Sequence, residues 1–390
     1  MKIMGYRREN GTYGIRNYIA VIPTVFCANH VASQIAKQVS PCVALPHPLG
    51  CGQHGADLDQ TIRTLIGLGR NPNIGAVILV GLGCERVSVQ ELYDGIAPTG
   101  KPIESLVIQE CGGTVKTIAK GVEIATRLAQ KLTAQQKVPL DVSELIVGLK
   151  CGGTDATSGI AANPALGMAV DSIIDQGGSA ILTEVGELVG AEHILAKRGA
   201  TPEVGEKILQ IIHHVEDVLR ESTKNYDRTS NRAALVTPGN FDGGVSSVTE
   251  KALGGMFKSG SRPFVGTLDY SEAPTTHGLY LMDAEGQDGE VVTPMAAAGA
   301  QIVCFTSGRG TPTGFPFVPV IKITGNNETY QKMQDNIDIN AGTVITGERK
   351  ISEVGQEIYQ EILDVASGKQ TKAESMGHGE LFTIGRYETY

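Results

Sequence analysis

The chain has 390 residues, 41% of them hydrophobic and 19% charged, with a formal net charge of −9 and no tryptophan. That length and balance describe a globular chain with room for two α/β domains. The acidic excess and few aromatics argue against a nucleic-acid binder, and no apolar stretch is long enough to span a bilayer, so membrane partners are not expected either.

In chain order, "NYIAVIPTVFC" reads as a buried strand and "ANHVASQIAKQV" as a helix. The helix "DLDQTIRTLIGL", the strands "GAVILVGLGCE" and "ESLVIQECGG", and the long helix "TVKTIAKGVEIATRLAQKL" follow. Apolar runs without alternation mark strands covered on both faces, hence a Rossmann-like α/β fold of parallel sheets with helices on both sides. The pattern pauses at "AQQKVPLD", which places a boundary between an N-terminal α/β domain over 1–138 and a C-terminal α/β domain over 139–390. The second unit opens with the strand "SELIVGLKCGGTD", the helix "NPALGMAVDSIIDQG" and the strand "GSAILTE". A helical stretch from Val185 to Lys224 comes next, then a glycine-rich looped part, and finally the helix "ISEVGQEIYQEILDVA".

Seven cysteines at irregular spacing, an odd number, read as free thiols of a reducing cytoplasm rather than a disulfide framework. Four of them, Cys51, Cys84, Cys111 and Cys151, have glycine beside them, and three directly follow a strand. Ligands of open parallel sheets bind at the carboxyl ends of the strands, so residues far apart in sequence can share one pocket there. The segment "PHPLGCGQHGADLDQT" adds His47 and His54 to Cys51, more chemistry than a turn requires. His47 and His54 suit imidazole ligation, Cys84 and Cys151 thiolate ligation and Glu85 a carboxylate ligand, while His54 suits a general base equally well. No CxxC or HExxH pattern is present, which excludes a zinc finger. The loop "CGGTDATSG" before a helix offers backbone N–H groups, Thr154 and Ser158 to an anion. Arg309 in "FTSGRGTPTG" is a second anion-binding candidate, and His277 and Asp283 sit at the two ends of a short apolar strand. The first strand carries no GxGxxG, which argues against a nicotinamide oxidoreductase.

Taken in order, "GYRRENGTYGIRN", "HPLGCGQ", "NPNIGAVILVGLGCE", "LKCGGTDATSGIAANPALG", "PGNFDGGVSSVTEKALG", "CFTSGRGTPTG" and "DNIDINAG" make the chain resemble the altronate/galactarate dehydratase family of sugar-acid lyases. The start at "GYRREN" resembles a split arrangement, in which a separate small subunit supplies a preceding domain, as for the large subunit of (2R)-sulfolactate sulfo-lyase. The resemblance implies an oligomeric enzyme with iron(II), or manganese(II) in its place, that removes the C2 proton of a small-molecule hydroxy acid while a group leaves C3. Loss of water gives a 2-keto-3-deoxy acid, and loss of sulfite from sulfolactate gives pyruvate. Within that scheme His47, His54, Cys84 and Cys151 are the expected metal ligands, and His54, His277 and Glu85 the catalytic set. Arg86, Lys150, Thr154, Asp155, Asn240, Asp242, Lys251 and Arg309 are expected to hold the substrate. An iron–sulfur cluster on the strand-end cysteines is the alternative centre, and a non-catalytic binding subunit the alternative role.

Overall fold

The computed structural model describes residues 3–222, 235–379 and 382–387. It opens with an antiparallel ribbon, β1 (Ile3–Arg7) against β2 (Tyr13–Gly14). Four parallel strands follow: β3 (Tyr18–Pro23), β4 (Cys42–Ala44), β5 (Ile74–Gly81) and β6 (Ile103–Val107), in the order β4-β3-β5-β6. β5 is buried at every position, the pattern that cover on both faces requires. β7 (Val138–Leu140) then returns to β1, with Ile3 opposite Leu140, and ties the start of the chain to the junction of the halves. The boundary expected between residues 138 and 139 falls inside this strand.

The second half builds seven parallel strands: β8 (Ile146–Gly152), β9 (Ser179–Leu182), β10 (Phe264–Leu268), β11 (Leu279–Met282), β12 (Ile302–Ser307), β13 (Val320–Thr324) and β14 (Ile339–Asn340). Their order is β10-β11-β9-β8-β12-β13-β14. The α/β reading of two parallel-sheet units therefore holds.

Successive residues of a strand point to opposite faces, and β3 shows what this does. Ile19 and Val21 enter a core with the helices Asn29–Gln38 and Thr114–Thr133, whereas Ala20 and Ile22 enter one with Gly55–Arg70 and Val89–Ile96. The latter core runs on into the second half, where it takes in Ile181, Met282, Phe305 and the helix Asp288–Ala297. A shared helical layer thus lies between the two sheets, and the helices Asn163–Asp175 and Ile351–Ala366 cover the far face of the larger one. The last of these matches the reading of the sequence residue for residue.

The single helical stretch expected from Val185 to Lys224 is instead a short turn, Val185–Leu188, and two helices, Glu192–Ala196 and Pro202–Ser222. Gly190, with φ +104°, and Pro202 break it. Residues 223 and 224 lie outside the described residues.

Two positions in this topology matter for function. From β3 the chain moves outward to β4, and from β5 it moves the other way to β6; in the larger sheet β8 leads to β9 on one side and β12 to β13 on the other. Each place where the direction reverses leaves a crevice at the carboxyl ends of the two central strands.

The shared layer depends on close approach at Gly67, where a Cβ would lie 2.5 Å from the Ala297 carbonyl oxygen. Gly67→Ala is expected to cost about 1–3 kcal/mol through overpacking. Urea unfolding would show this as a lower midpoint with an unchanged slope.

Candidate active site

At the reversal point of the smaller sheet, Thr24 follows β3 and Glu85 follows β5. The Thr24 hydroxyl donates to the Glu85 carboxylate at 2.6 Å, and the N–H groups of Leu82, Gly83 and Cys84 also donate to it. These donors hold the carboxyl below its usual range against the opposing effect of burial. The histidine-rich loop packs over this point. Gly50, with φ +98°, lies so close to Thr24 that a Cβ would sit 2.1 Å from its carbonyl oxygen, and the Gly50 carbonyl accepts from Arg86 N–H at 3.0 Å. His47 is buried with both ring nitrogens engaged: Nε2–H donates to the Pro23 carbonyl at 2.8 Å and Nδ1 accepts from Leu49 N–H at 3.3 Å. Burial lowers its pKa to about 4 despite the Pro23 bond. Cys51, His54, Cys84 and Arg86 are exposed along the same edge.

The reversal point of the larger sheet is built differently. Lys150 and Cys151 end β8, and Glu184 follows β9 in a left-handed backbone conformation, φ +64°. A non-glycine residue there is strained, and such strain concentrates at functional sites. The Glu184 carboxylate accepts from Lys150 Nζ at 2.5 Å, from Lys258 Nζ at 2.7 Å and from Cys151 N–H at 2.8 Å. Cys151 Sγ lies 3.1 Å from Lys258 Nζ and 3.3 Å from a Glu187 oxygen, and the other Glu187 oxygen meets Lys251 Nζ at 2.8 Å. Asp288 reaches Lys150 at 3.0 Å. Burial alone would strip protons from these lysines, but the neighbouring carboxylates outweigh it and hold Lys150 and Lys258 as ammonium groups. Burial and Glu184 push the Cys151 thiol up to about 12, while the lysines hold Glu187 down to about 2 against its own desolvation.

Two glycine loops close around this cluster. A Cβ at Gly308 would lie 2.2 Å from Asp155 Cγ, and Arg309 N–H donates to the Gly153 carbonyl at 3.1 Å, so "CGGTD" and "TSGRG" interlock. Asp155 accepts from Ser158 N–H at 2.9 Å and from Asn326 Nδ2 at 3.0 Å, and Asn240 Nδ2 donates to the Thr154 carbonyl at 2.9 Å.

The structure therefore brings together Lys150, Cys151, Thr154, Asp155, Asn240, Lys251 and Arg309 at one edge, with Asp242 exposed on the short helix Pro238–Asp242 nearby. It places His47, His54, Cys84, Glu85 and Arg86 at the edge of the other sheet. His277 is exposed just ahead of β11, at the amino edge of the larger sheet, opposite the cluster. Cys51, Cys84 and Cys111 follow strands of the smaller sheet, whereas Cys151 belongs to the larger one. Among the described residues, one group of three potential metal ligands has its atoms within 4.8 Å of one another: Cys151, Glu184 and Glu187. Glu184, Glu187, Lys258 and Asp288 were not singled out in the sequence. Glu184 ends "GSAILTE" as Cys151 ends "LIVGLKC", so strand-end logic could have found it. Lys258 carries no local signal, because only packing carries it to Cys151.

Residues 142–389 match the family model described as D-galactarate/Altronate dehydratase, C-terminal, and residues 5–133 match D-galactarate dehydratase/Altronate hydrolase, second domain. The chain belongs to this family. It is 39% identical to the (2R)-sulfolactate sulfo-lyase subunit beta of Chromohalobacter salexigens, over 99% of this chain and 98% of that one. The altronate dehydratase of Bacillus subtilis is 36% identical over 97% of this chain and 76% of that protein. The galactarate dehydratase (L-threo-forming) of Escherichia coli is 36% identical over 97% and 75%. All three are named for lyase reactions, and this chain is a lyase of the dehydratase family. Among the described residues no helix is long and apolar enough to cross a membrane.

His47 sets a stability window at acid pH. Below its ordinary value of 6.5 the unfolded chain takes up a proton that the folded chain refuses. Stability should therefore fall as pH drops from 6.5 through about 4, by roughly 3 kcal/mol for this group. Urea midpoints measured across that range should fall more steeply for wild type than for His47→Gln; parallel curves would remove His47 as the cause.

Proposed function

We propose that the chain is the large, catalytic component of a β-elimination lyase acting on a small 2-hydroxy acid, with chemistry at the Lys150–Cys151–Glu184–Glu187 cluster. One observation carries this reading. A buried set of ammonium groups, carboxylates and a thiol sits at the reversal point of a parallel sheet, where such sheets bind ligands. The bond changes are simple: the C2–H bond breaks, its electron pair forms the C2–C3 double bond, the group on C3 leaves with its own pair, and the enol tautomerises to a 2-oxo acid.

The difficulty is charge, because removing a proton beside a carboxylate places two negative charges on one small fragment. Fixed ammonium groups in a low-dielectric pocket offset that charge without reorganising. Glu187 is the proposed base. It is ionised, and at rest its affinity for a proton is suppressed chiefly by Lys251. A substrate carboxylate that draws Lys251 toward itself raises that affinity where the proton must be taken. Lys258 and the Cys151 thiol are the groups available to supply a proton to the leaving side. Arg309 and the N–H groups of the interlocked loops hold the far end of the acid.

A thiol and two carboxylates suit iron(II) or manganese(II) in donor type. In the arrangement described, however, both Glu184 oxygens already accept hydrogen bonds, and Cys151 Sγ faces Lys258. Lys150, Lys251 and Lys258 balance Glu184, Glu187 and Asp288 charge for charge. A divalent ion fits only if Lys258 moves away, and the steps above do not pass through one.

Water is the first proposed leaving group, giving a 2-keto-3-deoxy acid from an altronate- or galactarate-type substrate; dehydratase is the name of several relatives. Sulfite is the second, favoured by the end-to-end match to the sulfo-lyase subunit beta. That relative's name also supports a partner subunit here.

With substrate saturating, Cys151→Ala and Lys258→Met should each lower kcat by about 10²- to 10⁴-fold. The far-UV spectrum should be unchanged. Altronate, galactarate and (2R)-3-sulfolactate assayed side by side, with 2-oxo acid and sulfite as readouts, identify the leaving group. Full turnover by folded Cys151→Ala and Lys258→Met proteins would move the chemistry elsewhere.

A further inference from the structure

We infer that residues 382–387 form a pH-sensitive strap, which seats over the carboxyl group of Glu285 while that group holds its proton and lifts when the proton is lost. The strap is tied down at both ends. At one end Phe382 is buried, its ring edge-on to His47 and to Phe315 at centroid distances of 6.4 and 6.3 Å. At the other, Arg386 Nε and Tyr387 N–H both donate to Asp57 Oδ1, at 2.7 and 3.2 Å. Between them the Gly385 carbonyl accepts from Gln60 Nε2 at 2.8 Å, and Gly385 N–H donates to the Tyr270 hydroxyl at 2.8 Å. That hydroxyl donates in turn to the Glu290 carbonyl at 2.8 Å.

Glu285 lies beneath Gly385. It is 5% exposed, and its Oε1 is sealed from solvent with no hydrogen-bond partner among the described residues. A Cβ at Gly385 would sit 1.5 Å from that oxygen, so only glycine can cross it. A carboxylate sealed without a donor is costly, and a protonated carboxyl far less so. Burial accordingly pushes Glu285 up to about 8 against the pull of its own N–H, and the Glu290 and Asp283 carboxylates add to the rise. Glu285 is not free to swing aside when it ionises, because its neighbours are pinned. The Ala284 carbonyl accepts from Val185 N–H and the Gly286 carbonyl from Lys150 Nζ, both at 3.0 Å. The strap yields instead. Its Thr383 Oγ1 is also buried without a partner among the described residues, so seating carries a penalty that local opening relieves. Arg386 and Tyr387 wall a cavity of about 340 Å³ at the carboxyl ends of β10 and β11, which lifting opens.

Other ionisable groups surround the strap. Against the effect of burial, hydrogen bonds from Arg386, Gln53 and Tyr387 hold Asp57 below its usual range, and burial keeps His47 and Tyr270 neutral above pH 5. Burial raises the Glu290 carboxyl as well. Asp59 and Arg63 face the cavity from the helix Gly55–Arg70, Asp269 and Asp283 from the ends of β10 and β11, and His214 from the helix Pro202–Ser222. As a histidine, His214 is the chief competing source of pH dependence. The direction for Glu285 is fixed by linkage. Above its ordinary value of 4.5 the carboxyl ionises once the strap lifts, whereas under the seated strap it keeps its proton up to about 8. Rising pH therefore weakens seating across that window, by about tenfold per pH unit.

The experiment is amide hydrogen exchange of the full chain, read by mass spectrometry on the peptide covering residues 382–387 from about pH 5 to about pH 8. Each rate is divided by that of the same peptide unfolded at the same pH, which removes the intrinsic pH dependence of exchange. The helix Thr114–Thr133 is the control for global unfolding. Wild-type protection of the strap should fall about tenfold per pH unit until it is lost, with no parallel fall in the control helix. Glu285→Gln, which keeps the shape of the protonated acid, should leave the strap protected throughout. Gly385→Ala, which collides with Glu285 when seated, should leave it unprotected throughout. A wild-type curve flat in pH overturns the proposal. So does a pH dependence that persists in Glu285→Gln, which assigns it to His214 or another neighbour, and so does wild-type protection in Gly385→Ala. If Glu285→Gln fails to melt cooperatively, Glu285→Met, which also removes the charge, takes its place. No turnover is read, and the inference does not rest on the proposed lyase chemistry.

Discussion

Three buried lysines cannot remain charged beside a sheet unless carboxylates meet them there, and Glu184 is where that requirement is concentrated. One side chain accepts from Lys150, Lys258 and the backbone of Cys151. A buried ion pair is bought with desolvation, so removing one partner leaves an uncompensated charge that costs several kcal/mol. The left-handed backbone at Glu184 is a further strain, held only because β8 and β9 run side by side with Leu149 opposite Leu182. That register puts the end of β8 next to the turn after β9. A shift of one residue would send the carboxylate to the wrong face.

The same topology produced two edges with opposite electrostatic character. At the smaller sheet the carboxylate of Glu85 is satisfied by neutral donors, burial keeps His47 neutral while backbone groups engage both its ring nitrogens, and the exposed thiols Cys51 and Cys84 face outward. At the larger sheet the charges are inside and paired. Burial accounts for the contrast. The interlocked glycine loops and the turn before Lys258 cover the end of β8, while the loop carrying Cys51 and His54 lies over the β3–β5 junction without enclosing it. Glycine is essential to this cover at Gly308, where any side chain would collide with Asp155. The glycine abundance of the chain is in part the cost of bringing charged groups this close.

The shared helical layer joins the edges mechanically. Helix Gly55–Arg70 begins in the histidine-rich loop and crosses Asp288–Ala297, whose first residue, Asp288, reaches Lys150. A continuous run of packed elements thus links the loop at the smaller sheet to a carboxylate of the larger site. Lys101 fixes the other end of the first helix by donating to the carbonyls of Gly69, Arg70 and Asn71.

Much of the fold was legible in the residues themselves. Unbroken apolar runs such as "GAVILVG" admit only a strand covered on both faces, and the 3.6-residue spacing of "ISEVGQEIYQEILDVA" admits only a helix on a core. Both are local consequences of side-chain chemistry, so sequence alone determined them, together with the glycine loops and the habit of ending strands in reactive groups. Sequence did not determine which strand ends meet. Cys84 and Cys151 have the same local character, yet one is exposed and the other lies among three lysines, because sheet order and crossover direction are set by packing across the whole chain. The partnership of Lys258 with Cys151, 107 positions away, exists only in the folded molecule. Patterns of hydrophobicity decide what becomes strand or helix, but the charges are placed by tertiary structure, since Lys150 and Lys258 can be buried as ammonium groups only where acceptors from other parts of the chain, Glu184 above all, meet them.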